Sequence, residues 1–260
     1  ITAEIKQALS GYFGSMQKPV TLALQTGEHE KRAEQAGFLA DIIGISEYVN
    51  FEERHAGLRS PVSFSLEVDG QPTGIVFSGI PSGHEFNSLI LAILHASGSD
   101  MKLDGSVRNL VRQVSKPLRF EVFISLSCHN CPDVVQALNQ FALLNPNISS
   151  ELLDGSLFPK LSEQRDIQGV PTVYLNGELF ANGKMDAAPE QDQVGPAAAQ
   201  SLFELVLPVI TSRCLPRPTR HRRPPPCRDG TRRFTIKARE AQEDGAPLAL
   251  GGHRLVHSCL

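Results

Sequence analysis

The sequence predicts an α/β protein in which one strand–helix order is written twice, followed by a tail of different character. Three observations carry this. Before and after about residue 100, the chain runs strand, helix, strand and then two strands joined by a tight turn. In the second stretch alone, a C-x-x-C pair, Cys128 and Cys131, stands where a strand hands over to a helix. From Arg213 onward, eleven basic residues face four acidic ones, whereas the part before it holds 14 basic and 24 acidic residues. Such a break in charge marks a change of organisation.

The first stretch opens with Lys18-Pro-Val-Thr-Leu-Ala-Leu, a strand pattern, followed by an amphipathic helix over 28–43 and a second strand over 48–52. Residues 62–68 alternate strictly, turn at Asp69-Gly70 and are answered by 74–78. Residues 84–95 form a closing helix with a broad apolar face. The second stretch repeats this order: a helix over 106–114, a strand over 120–126 and a helix from Cys131. A strand over 148–153 follows, then a short helix over 156–166, a strand over 169–175, a turn at Asn176-Gly177 and a strand over 178–180. Between the second and third strands of the first stretch the helix is weak or absent. Ser60-Pro61-Val lines up with Val170-Pro171-Thr, and the whole order is that of a thioredoxin (glutaredoxin-like) fold present twice in one domain. The boundaries fall at 1–100, without C-x-x-C, and 101–185, with it. Where the second copy has its cysteines, the first has Gln25-Thr-Gly-Glu-His-Glu, so the first has no dithiol chemistry of its own.

Residues 186–260 are expected to be a largely disordered, low-complexity Pro/Arg-rich tail. Pro189 and Pro196 interrupt the place where the second copy should close with a helix, leaving 197–207 as a replacement. The abrupt change near residue 186 fits an unrelated or frameshifted end, which the coding DNA would settle.

At 41% apolar and 20% charged residues, the composition is that of a soluble globular protein. No apolar run is long enough to cross a bilayer, no signal peptide opens the chain, and the first residue is Ile1 rather than Met. Five cysteines with one close pair argue for a reducing cytoplasm rather than a secreted disulfide framework. The Arg-rich run lacks interleaved aromatics and a fold, which excludes nucleic acid as the expected partner.

The chemistry expected at the pair follows from helix-end physics. Unpaired backbone N–H groups and the positive end of the dipole favour a thiolate, the species that attacks disulfides. Cys128, just before the helix, is the expected nucleophile; Cys131, one turn in, is the expected resolving thiol. His129 favours the thiolate when protonated, Asp133 opposes it by like charge, and Pro132 is tolerated in the first turn. A cis Val170–Pro171 bond is expected, turning the Val170 backbone toward an incoming peptide. Ahead of the closing helix of the first copy, His84 and Glu85 read first as helix-capping residues. The reading from another class is a zinc-stabilised binding module, with His253 and His257 completing a site of two cysteines and two histidines and Cys259 nearby; Cys214, Cys227 and Cys259 otherwise read as incidental thiols.

The segment Ser125-Leu-Ser-Cys-His-Asn-Cys-Pro-Asp-Val-Val-Gln-Ala-Leu-Asn closely resembles the N-terminal domain of the bacterial alkyl hydroperoxide reductase flavoproteins. Gly83-His84-Glu85-Phe86, Leu143-Leu-Asn-Pro, Gly169-Val170-Pro171 and Asn182-Gly-Lys-Met185 extend the likeness over about 1–185. The resemblance implies a thiol–disulfide oxidoreductase that relays electrons from a flavin-bearing reductase domain through Cys128 and Cys131 to a peroxiredoxin, which reduces hydroperoxides. It implies a place for Glu85 near the pair, assisting proton transfer, and roles in redox homeostasis and the response to reactive oxygen species. The full-length family uses FAD and NAD(P)H; no G-x-G-x-x-G follows a strand here and no second C-x-x-C exists, so neither cofactor is expected on this chain. A free-standing glutaredoxin-like protein disulfide oxidoreductase is the second reading within the same chemistry.

Overall fold

The computed structural model describes residues 1–182. The expected closing helix, its replacement at 197–207, Met185, the tail and the three downstream cysteines lie outside them. The elements are α1 (Ala3–Phe13), β1 (Val20–Gln25), α2 (Arg32–Ile43), β2 (Val49–Arg54), β3 (Ser63–Val68), β4 (Gln71–Ser78) and α3 (Phe86–Ala96). The 3-10 turn Gly83–Glu85 leads into α3. Then come α4 (Gly105–Arg112), β5 (Leu118–Ile124), α5 (Cys131–Leu144), β6 (Ile148–Asp154), α6 (Pro159–Gln164), β7 (Thr172–Leu175) and β8 (Glu178–Asn182).

Among the described residues, eight strands form one sheet in the order β2-β1-β3-β4-β6-β5-β7-β8. Its two halves repeat each other. In each, the first two strands are parallel and the last three antiparallel: β1 with β2, β3 with β1 and β4 with β3, then β5 with β6, β7 with β5 and β8 with β7. The halves join where β4 pairs in parallel with β6, Ile75 opposite Ser150 through Ser78 opposite Leu153. Gly74 makes this junction possible. Its φ is +81°, and a Cβ there would lie 2.7 Å from the Ile148 carbonyl oxygen.

One apolar core runs unbroken across the junction. Leu22, Phe64, Phe77, Phe120 and Val122 of the sheet meet Leu39 of α2, Leu89 and Ile93 of α3, and Leu138 and Phe141 of α5. A small second cluster of Phe123, Leu153 and Tyr174 carries Phe158 and Leu161 of the α6 region.

The first half has no counterpart of α6 between β2 and β3, as its sequence foretold. Residues 55–62 pass through instead and are held by side chains. The Gln25 amide oxygen accepts from the Ala56 and Leu58 N–H groups at 2.9 and 3.1 Å. Arg59 reaches into the second half, donating to both Glu151 carboxylate oxygens at 2.8 and 2.9 Å and to Glu121. Glu121 of β5 is fully buried, and its carboxylate is paired with Arg59, Arg119 and Arg165. Helix α1, for which no element was expected, starts at Thr2, whose hydroxyl accepts the Ile5 N–H, and buries only Leu9 and Phe13, while Ile5 and Tyr12 are exposed.

Candidate active site: a dithiol at a helix N-terminus

Strand β5 ends at Ile124 and α5 begins at Cys131, so the six residues between them form the loop carrying Cys128. The loop is closed early by the Cys128 N–H donating to the Ser125 carbonyl at 2.9 Å. Cys128 and Cys131 are joined by a disulfide with their Cα atoms 5.5 Å apart. The two sulfurs occupy unlike surroundings: Cys131 is fully buried in the main core, whereas Cys128 is partly open to solvent. The Cys131 N–H, which has no acceptor within the helix, points at Cys128 Sγ at 3.2 Å. After reduction, that donor and the helix dipole both favour charge on Cys128. Pro132 sits in the first turn, where its missing N–H costs nothing, and Asp133 supplies a carboxylate there.

The Val170–Pro171 peptide is cis, as the sequence led us to expect, and the Val170 carbonyl oxygen lies 3.8 Å from Cys128 Sγ. Among the described residues no other peptide bond is cis, so Pro61, its counterpart in the first half, is trans. That counterpart site is filled rather than open. The Pro61 ring lies against Gly27, where a Cβ would come within 2.6 Å of it, and Arg32 donates to the Gln25 and Pro61 carbonyls at 2.5 Å each.

The first half nevertheless reaches the dithiol. Its 3-10 turn packs against α5. Gly83 adopts φ +55°, and a Cβ on it would stand 2.8 Å from the Leu126 carbonyl oxygen. The same carbonyl accepts the His84 N–H at 3.2 Å. The exposed His84 ring meets the exposed His129 ring, their centroids 4.1 Å apart.

Glu85 does not cap α3, contrary to the first reading of its sequence position. It makes no side-chain capping bond and is completely buried. Neither carboxylate oxygen has a hydrogen-bond partner of ordinary geometry, although Ser88 lies close enough to oppose slightly the effect of burial. Burial pushes the Glu85 carboxyl up to about 7.

The structure thus gathers Cys128, Cys131, His129, Val170 and Pro171 at one end of the second half, with Glu85 arriving on the turn that packs against α5. The ring contact of His84 was not legible in the sequence, beyond its place in the Gly83-His84-Glu85-Phe86 match. Glu121 and its arginines were missed as well, since nothing local marks a strand glutamate for burial. No group of three or more His, Cys, Asp or Glu able to hold a metal occurs among the described residues. His253, His257 and Cys259 lie outside them. The turns 26–31 after β1 and 125–130 after β5 lack the glycine pattern that seats a dinucleotide pyrophosphate.

Fold and site together define a thioredoxin-fold dithiol protein. Residues 118–195 match the family model described as a thioredoxin domain. The chain is 42% identical over 185 residues to the alkyl hydroperoxide reductase AhpF of Pseudomonas aeruginosa, an alignment covering 71% of this chain and 35% of that protein. It is 40% identical over 204 residues to the AhpF of Staphylococcus aureus, covering 78% and 39%. The solved N-terminal domain of the Enterococcus faecalis AhpF superposes with a TM-score of 0.66 at 31% identity, covering 79% of this chain and 99% of that one. A protein disulfide oxidoreductase from Aeropyrum pernix shares the fold, with a TM-score of 0.64 at 17% identity. The chain belongs to the alkyl hydroperoxide reductase AhpF family, corresponding to its N-terminal, thioredoxin-like domain. It spans little more than a third of the length of these full-length curated relatives.

Proposed function

We propose that this chain is a thiol–disulfide electron relay of an alkyl hydroperoxide reductase system, acting in the cytoplasm on a peroxiredoxin. The observation that carries the reading is the asymmetry of the pair: an accessible Cys128 facing a free helix-end N–H, and a buried Cys131 behind it. In the dithiol state, Cys128 thiolate attacks one sulfur of the partner disulfide. The partner S–S bond breaks, its second sulfur leaves as thiolate, and a mixed disulfide forms. Cys131 then loses its proton and attacks Cys128 Sγ, the mixed disulfide breaks, and the first partner sulfur leaves. Two electrons have passed to the partner, whose two sulfurs leave as thiolates and take their protons from water, and the Cys128–Cys131 disulfide remains. Glu85, an acid poised near neutrality in the first half of the sheet, takes the Cys131 proton. Residues 1–100 and 101–185 act as one unit in this reading. Re-reduction falls to a flavin reductase domain, which in the full-length family carries FAD and NAD(P)H.

The test is to mix reduced protein with an oxidised peroxiredoxin from the same cell and to trap thiols for mass analysis. Loss of two thiols at Cys128 and Cys131, with the peroxiredoxin reduced, is the expected result. Cys131→Ser should halt at a mixed disulfide through Cys128, and Cys128→Ser should be inert. Turnover of unrelated protein disulfides, but not of the peroxiredoxin, would replace this reading with that of a general disulfide oxidoreductase. Stoichiometric zinc together with unfolding of Cys128→Ser would replace it with a zinc-stabilised module.

A further inference from the structure

We propose that His84, carried by the half of the sheet that has no dithiol, is a positioning residue for the dithiol: it holds the His129 ring at the loop bearing Cys128. The inference rests on the relay reading and deepens it. Two contacts fix His84 to that loop. Its N–H donates to the Leu126 carbonyl, two residues before Cys128, and its ring packs on the ring of His129, the residue immediately after Cys128. The approach requires glycine at position 83, because a side chain would collide with the same carbonyl oxygen. Among the described residues, the His129 ring makes no hydrogen bond, and the His84 ring is its packing partner.

An exposed imidazole without a partner samples its rotamers in picoseconds to nanoseconds, and its influence on a neighbouring thiolate is averaged away. Held beside the loop, on the residue next to Cys128, the same ring offers an N–H donor and, when protonated, a charge that favours the Cys128 thiolate. The need for such a hold is greatest after reduction, when the Cys128–Cys131 bond no longer ties the loop to α5. His84 touches neither sulfur in this arrangement; it acts through His129. The dithiol-free half thereby contributes to exchange chemistry it cannot carry out itself.

The test uses the full chain with Cys214, Cys227 and Cys259 changed to serine, so that only the pair reports. The thiolate of reduced Cys128 is titrated by absorbance at 240 nm, with the Cys128→Ser protein as blank. The rate of reaction with 5,5′-dithiobis(2-nitrobenzoate) is measured in parallel. His84→Ala is expected to raise the thiolate midpoint by about half a unit and, below that midpoint, to slow the reaction about twofold to threefold, as the thiolate fraction falls. His129→Ala should do the same, and His84→Ala added to it should change nothing further. A His84→Ala protein that titrates and reacts like its parent would overturn the proposal, as would a His84→Ala effect that persists in full without His129. Failure of the parent itself to react at Cys128 is a different result and strikes the relay reading instead. Since His84 is exposed, loss of the fold is not expected, and circular dichroism of each variant checks this.

Discussion

Glu85 is the residue at which stability and chemistry pull in opposite directions. A buried carboxyl with only the weak help of Ser88 is costly when charged, and here burial lifts it to about 7 from an ordinary 4.5. Folding therefore takes up a proton between these values. The folded state is favoured while both states are protonated, and it loses ground as pH rises from about 4.5 through 7. Glu85→Gln should abolish that decline and leave the protein more stable at pH 8 by on the order of 2–3 kcal/mol, readable by urea unfolding at pH 5 and pH 8. The same substitution removes the proposed acceptor of the Cys131 proton. In single-turnover exchange, the first attack by Cys128 should keep its rate while the resolving step slows about tenfold or more, so that mixed disulfide accumulates. A resolving step as fast in the variant as in its parent would remove Glu85 from the mechanism and leave only its stability effect.

At the scale of elements, the inserts between strands decide what the sequence disclosed. Strand periodicity and turn signals located every strand to within a few residues, because Asp69-Gly70 and Asn176-Gly177 demand positive φ and announce their hairpins. The C-x-x-C at a strand–helix boundary likewise located the core of the site. What stayed hidden depends on partners far away in the chain. Glu121 is buried only because Arg59 and Arg165 reach it from 62 and 44 residues away. Burial works to raise its pKa, but Arg165, Arg119 and Arg59 together prevail and hold it below the usual carboxylate range. The sign is thus opposite to that of Glu85: Glu121 lends stability above its unfolded value near 4.5 and loses it as pH falls further. Glu121→Ala, which strands Arg165 without its carboxylate, should cost about 3 kcal/mol at pH 7, with a flatter acid limb in the stability profile. The His84–His129 contact was hidden for the same reason, since its two rings come from different halves of the sheet.

For the whole molecule, the consequential feature is that the two halves share one sheet and one core, with no linker between their strands at β4 and β6. A site assembled from both halves needs this. The turn bearing His84 and Glu85 packs against α5 and follows β4, the strand that pairs with β6. Separate domains would open independently; a shared core predicts one cooperative transition. Native-state hydrogen exchange should therefore return similar opening free energies for the slowest amides of β1 and β5, which lie in different halves. Gly74 offers the decisive perturbation, because it sits at the junction and a methyl group there would press within 2.7 Å of the Ile148 carbonyl. Gly74→Ala should lower both opening free energies together, by about 1–3 kcal/mol given the positive φ and the backbone collision. If β5 alone weakens while β1 holds its protection, the halves are independent folding units. The contribution of the first half to the dithiol would then have to survive without cooperative support.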